Sequence, residues 1–132
     1  MIDLKNLTIE KAHESLKSGE YTCKDLVEAY LDVIKEKNPK INAYLEVYGD
    51  VLAQAEVAQK MFTDGTATVL TGIPIALKDN ILLAGHKASA SSKMLENYVA
   101  SYDATAVEDF KKQGAVFLGR TNMDEFAMGS ST

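Results

Sequence analysis

The stretch from Val69 to Leu83 is the most apolar in the chain, and its interruptions at Gly72, Pro74, Lys78 and Asp79-Asn80 limit what the whole can fold into. It falls short of the ~18 uncharged apolar residues of a membrane span, so the rest of the chain has to bury it. Short apolar runs bounded by turn residues read as buried strands, and the segment predicts one or two of them. Strands of that kind need cover on both faces, which points to helices packed on a sheet.

The flanking sequence supplies the helices. Ile9, Ala12 and Leu16 fall at helical spacing between Thr8, placed as an N-cap, and Gly19, placed as a stop. Thr22 opens a second helix with Asp25 as a short capping-box acid and Leu26, Tyr30, Val33 and Ile34 as its inner stripe, and Asn38-Pro39 is expected to end it. Alternation over Ile41–Tyr48 predicts a half-buried strand with Ile41, Ala43, Leu45 and Val47 on one face and Tyr44, Glu46 and Tyr48 on the other. Asp50 is expected to cap a third helix running to about Phe62, before the Asp64-Gly65 turn. Farther on, a short helix is predicted around Lys93-Met94-Leu95. Another spans Asp103–Gln113, with Thr105 and Glu108 as a capping box, Val107 and Phe110 inward and Gly114 at the stop. Ala115–Leu118 then reads as a buried strand, so helix followed by strand indicates α/β architecture with a parallel component.

Composition sets the outer bounds. With 132 residues, 46% of them apolar and 25% charged, the chain can bury roughly 65–70% of its unfolded surface, enough for one core and too little for two. Its formal net charge of -5 lacks the basic footprint of a chain that grips nucleic acid or an anionic membrane by itself. The single cysteine, Cys23, cannot form an internal disulfide, and no Cys/His cluster has metal-ligand spacing. A reducing cytoplasm is the expected compartment, with no exported leader and no membrane partner.

Several constellations invite a chemical reading. Gly114–Thr121 nearly matches a phosphate-binding P-loop with Arg120 in place of lysine, but the four intervening residues form the apolar strand rather than a loop. Asp124 and Glu125 diverge by about 100° if helical, so they read as a solvated face rather than a carboxylate pair. His13 and His86 have no Ser or Cys partner that spacing identifies. Ser89, Ser91 and Ser92 read as caps and turn residues. Lys78 shares a strand face with Pro74 and Ala76, while Ile73, Ile75 and Leu77 share the other. An amine among small side chains loses hydration and becomes a usable base, whereas a strand-end lysine can equally reach water along its stem. These residues alone leave both readings open.

Leu70-Thr71-Gly72-Ile73-Pro74-Ile75-Ala76-Leu77-Lys78-Asp79-Asn80 resembles the lysine-bearing strand of the amidase signature family. Tyr102–Val107 and Thr121–Thr132 are similar to the branch of that family whose members act as glutaminase subunits in tRNA-dependent amidation. The resemblance implies an incomplete amidase signature fold over 1–132. Helices over about 8–62 would lead into part of a mixed, mainly parallel sheet flanked by helices over about 69–132. It also implies a catalytic set of a nucleophilic serine, a bridging serine in a cis peptide and a lysine, of which only Lys78 maps onto this chain. Ser130, Ser131 and Thr132 would border the glutamine pocket, or else form a polar turn over the sheet end.

No cofactor is implied for this chain, because ATP and Mg belong to a partner subunit. The implied partners are two further subunits, B and C, with Glu-tRNA(Gln) reached through one of them. The chain is then expected to be an N-terminal fragment unable to hydrolyse glutamine alone. Two other readings stand beside it: a self-contained Ser-Lys hydrolase using Ser89, Ser91 or Ser131, and a non-catalytic module that binds a partner through Leu26, Tyr30 and Ile34.

Overall fold

The computed structural model describes residues 2–130. Helix α1 (Ile9–Ser18) starts where the Thr8 hydroxyl accepts from the Lys11 amide and stops at left-handed Gly19. In α2 (Cys23–Ile41) Thr22 and Asp25 form the expected capping box. The helix runs through Pro39, however, and ends at left-handed Asn42. Pro39 is exposed in the last turn, so its ring meets solvent, and the Asn38 carbonyl still accepts from Asn42 N. The Asn38 side chain also clamps Tyr44 N and O at 2.7 and 2.9 Å, which fixes the exit into the next strand. Val33 is exposed, and Val27 and Leu31 complete the inner stripe in its place.

Strands β1 (Tyr44–Val47), β2 (Pro74–Lys78) and β3 (Val116–Thr121) form a mixed sheet in the order β1-β3-β2, antiparallel on one side of β3 and parallel on the other. Of the two faces of β1, the one that carries the tyrosines turns inward. Tyr44 packs on the core and Tyr48 is buried, while Ile41 and Val47 are exposed. Glu46 shares the face of the two tyrosines and reaches Arg120 Nε at 2.8 Å, and that pairing overrides the apolar count. The apolar run holds one strand, not two. Asp79-Asn80 turns the chain, with Ile81 N donating to Lys78 O.

Helix α3 (Val51–Thr63) covers β3, and Gln54 completes the ladder by accepting from Phe117 N at 2.8 Å. Asp50 sits at its N-cap without a side-chain cap bond and faces His86 Nε2 at 3.7 Å instead. The fourth helix, α4 (Thr105–Lys112), begins one residue earlier than a Thr105 cap requires. Ala104 holds the cap position, donating its N–H to Leu82 O, and no capping box forms. Asp103, just ahead of it, accepts from Ala84 N and Lys111 Nζ, so this acid ties a loop to the helix. Gly114 ends the helix as expected, at φ 75°.

One core joins these elements: Leu16, Leu26, Val27, Val51, Ala55, Leu77, Val107, Val116, Phe117 and Leu118 are buried together. Leu26 is fully buried, with partly buried Tyr30 and Ile34 packed against the same cluster, so Leu26 belongs to the chain's own core. Two glycines permit the close approaches. A Cβ on Gly72, at φ 77°, would meet Cys23 Sγ at 2.5 Å. A Cβ on Gly119 would collide with the Glu46 carbonyl and stand 2.9 Å from Val47 Cα, because β1 lies directly over it. Backbone cannot step aside as a side chain can, so Gly119→Ala is expected to lower stability by about 2 kcal/mol or more, read as a fall in the urea midpoint.

Candidate functional site

Parallel strands β2 and β3 end side by side, with Lys78 in register with Thr121. Beyond those carboxyl ends lies a cleft of about 350 Å³ lined by Lys78, Asn122, Met123, Asp124, Ala127, Gly129 and Ser130. In open sheets with parallel strands this is the end at which ligands bind. Larger hollows of about 480 Å³ beside α3 and about 720 Å³ near the N-terminus do not hold Lys78.

Strand parity places Lys78 as expected, opposite in face to Ile73 and Leu77, both buried. Of the two readings left open for it, the structure shows the lysine that reaches water. Lys78 and Ala76 are exposed, so water reaches the amine in this chain. Ser130 shares the cleft with Lys78, whereas Ser131 and Thr132 lie outside the described residues.

The side chains behind the cleft are less legible in the sequence. Asp79 follows Lys78 and is 1% exposed. Its Oδ1 accepts from Arg120 Nη1 at 2.8 Å and Ser89 N at 3.1 Å, and its Oδ2 accepts from Ser91 N at 2.7 Å and from the Ser89 hydroxyl. Burial alone pushes the Asp79 pKa up, but the Ser89 hydroxyl, the Ser91 amide and the Arg120 guanidinium outweigh it and hold the carboxyl below its ordinary value. Arg120 completes the set by bonding Glu46 on β1. Burial works against its charge, yet the Glu46 and Asp79 carboxylates raise its pKa. An acid at the end of one apolar strand and an arginine near the end of another is the available signal. It is masked because Asp79 reads as a turn residue and Arg120 as a defective P-loop lysine. Gly114 as helix stop and 116–121 as strand confirm that no phosphate loop exists there.

Ala90 and Ser91 adopt left-handed backbone at φ 47° and 52°, unfavourable for residues with a Cβ. The bonds to Asp79 hold them there, and the loop in turn grips the cleft wall. The Ser91 hydroxyl donates to Asn122 Oδ1 and accepts from Met123 N, Ala90 O accepts from Phe126 N, and the Ser92 hydroxyl donates to Glu125. Ser92 also caps the 3₁₀ turn Lys93–Leu95, the role expected of it. Asp124 and Glu125 do diverge: exposed Glu125 accepts from the Ser92 hydroxyl, while half-buried Asp124 lines the Lys78 cleft. With their hydroxyls committed to Asp79 and Asn122, Ser89 and Ser91 are structural, which argues against a self-contained hydrolase built on either.

The histidines stand apart from the cleft. His13 lies 5.8 Å from the Phe62 ring, and His86 packs 4.2 Å from Tyr48. Among the described residues no cluster of His, Cys, Asp and Glu is gathered as a metal centre would require, and no helix is long and apolar enough to cross a membrane.

Residues 25–132 match the family described as Amidase. The chain belongs to the Amidase family. It is 47% identical over 133 residues to a Dehalococcoides mccartyi protein named as the A component of glutamyl-tRNA(Gln) amidotransferase, covering 100% of this chain and 27% of the relative. A protein of the same name from Thermoanaerobacter pseudethanolicus is 46% identical, with 99% and 27% covered. The chain thus spans about 27% of the length of these curated relatives. Among solved structures, the peptide amidase PAM in complex with chymostatin superposes with a TM-score of 0.89 at 31% identity, over 95% of this chain and 26% of that one. The native peptide amidase from Stenotrophomonas maltophilia gives 0.87 at 31% identity, over 94% and 26%. The mixed sheet with flanking helices is therefore a portion of the fold these enzymes share.

The buried carboxylate has a pH signature. Its native pKa lies below the value of an unfolded aspartate, so its contribution to stability is complete above about pH 4 and is lost as pH falls through the native value. Asp79→Asn removes the charge facing Arg120. It should cost about 3 kcal/mol or more at pH 7, since breaking one side of a buried pair strands the other. Urea unfolding at pH 7 and pH 3 tests this, and the gap between parent and variant is expected to narrow at the lower pH.

Proposed function

We propose that this chain is the lysine-bearing N-terminal part of the glutaminase subunit of a glutamyl-tRNA(Gln) amidotransferase, with Lys78 as its general base. The observation that carries the reading is Lys78 at the carboxyl end of β2, opening into the cleft with Ser130 and Asp124. Its support is membership of the Amidase family and the shared name of relatives that match nearly the whole chain.

In the proposed chemistry the Lys78 amine takes a proton through a bridging serine, and a second serine attacks the side-chain carbonyl of glutamine. The C–N bond breaks, ammonia leaves with the relayed proton, and water hydrolyses the acyl-enzyme to glutamate. Both of those serines would come from sequence downstream of Thr132. Ser130 and the two residues after it would border the glutamine pocket. Ammonia would pass to a partner subunit that uses ATP and Mg to activate the glutamate of Glu-tRNA(Gln), with B and C as the partners and the cytoplasm as the setting. An acidic chain of net charge -5 suits the subunit that leaves the tRNA to its partner.

The exposure of Lys78 supports inactivity of the 132-residue chain alone. A lysine amine acts as a base near neutral pH when its surroundings exclude water, and this cleft is open. Glutamine hydrolysis is therefore expected to be at background for the purified chain. In the complete assembled enzyme, Lys78→Ala should lower kcat at least about a thousandfold, in keeping with loss of a general base. Ammonia release from glutamine measures both. Lys78-dependent turnover by the short chain would overturn the inactivity, and full activity of the assembled Lys78→Ala enzyme would overturn the assignment of the base.

A further inference from the structure

Lys78 and Asp79 are neighbours in sequence, but only Lys78 lines the cleft. Asp79 is buried behind it and reaches the opposite wall through a relay. Its Oδ2 accepts from Ser91 N, the Ser91 hydroxyl bonds Asn122 and Met123, and the adjacent Ala90 carbonyl holds Phe126 N at 3.0 Å. Asn122 and Met123 are cleft wall. The loop that carries the relay has two residues in left-handed backbone, closed by Ser92 N on Ser89 O and by Ala90 N on the Asp79 carbonyl, and the carboxylate adds the bond to Ser91 N that draws the turn against the strand end. Arg120 anchors the far side of Asp79 to β3, so the carboxylate cannot swing away.

We propose that Asp79 is a positioning residue for the Lys78 cleft, acting through Ser91 to set the distance between the amine and the 122–126 wall. The inference rests on the reading of Lys78 as the base of an amide-hydrolysing site. One residue holds the base and the adjacent one holds the wall it works against, so the strand end spaces the two sides of the cleft.

The test uses the complete subunit as its gene encodes it, assembled with its partner subunits, in two arms. Hydrogen exchange followed by mass spectrometry on Ser91→Ala is expected to accelerate at least about tenfold in residues 122–126, with β3 unchanged and the thermal midpoint within a few degrees. Asp79→Asn is expected to extend the acceleration to residues 89–91. In the second arm, kcat for glutamine hydrolysis by Ser91→Ala is expected to fall about 10- to 100-fold with KM within about twofold, because a wall displaced by about 1 Å misplaces the reacting groups. Parental exchange and parental kcat in Ser91→Ala would overturn the proposal, and so would acceleration spread evenly over the whole chain. A Lys78→Ala enzyme that still hydrolyses glutamine would instead sink the catalytic reading, even with the exchange effect intact. Loss of activity in Lys78→Ala alongside an unaffected Ser91→Ala would sink only the positioning role.

Discussion

A buried ion pair, Asp79 with Arg120, is what the rest of this structure depends on. Taking a carboxylate and a guanidinium out of water costs several kcal/mol each, and the cost is tolerable only when the remaining lone pairs and protons are satisfied. Here they are. Two serines supply the other donors to Asp79, and Glu46 takes the second edge of Arg120. One network thereby joins the end of β2, the middle of the sheet, the edge strand β1 and the loop at 89–91. An apolar pair of similar volume could hold the strands together equally well, but it would place no constraint on the loop, because apolar contact has no direction.

The same network explains why the cleft has a definite shape in a small portion of a large fold. Its floor is the parallel pair β2 and β3, whose alignment is fixed by ladder bonds and by the glycine at 119 that lets β1 lie close. Its wall, from Asn122 to Ser130, includes Phe126 and Ala127 in left-handed backbone and is held by hydroxyls and a carbonyl of the 89–92 loop. Lys78 is exposed, and so are Ala127, Gly129 and Ser130 across from it. A chain spanning about 27% of its relatives therefore presents the amine and one wall of the cleft together.

The helices and buried strands were legible because their signals are local. Thr8 and Thr22 cap as their spacing predicts, and Gly19 and Gly114 stop helices where a left-handed residue is needed. The departures share a physical cause. Pro39 did not end α2 because its ring faces solvent in the last turn, and Thr105 and Asp50 made no side-chain caps. Strand β1 turned its tyrosines inward because Glu46 had to meet an arginine 74 residues away. Of the site, Lys78 and its strand face were readable from alternation and motif. Asp79, Ser91 and Asn122 were not, since their roles consist of bonds across 12 to 41 residues that no local pattern encodes.

Periodicity and capping chemistry by themselves determined that this chain alternates helices with buried strands, and its motifs placed a lysine at the end of one strand. Only the tertiary structure decided which face of β1 is inside, that the lysine stands in water, and which residues hold the cleft open opposite it. The division follows from range. Backbone geometry and apolar spacing act over a few residues and are written in order along the chain, whereas the partner of a buried charge is chosen by whichever strand the fold lays beside it.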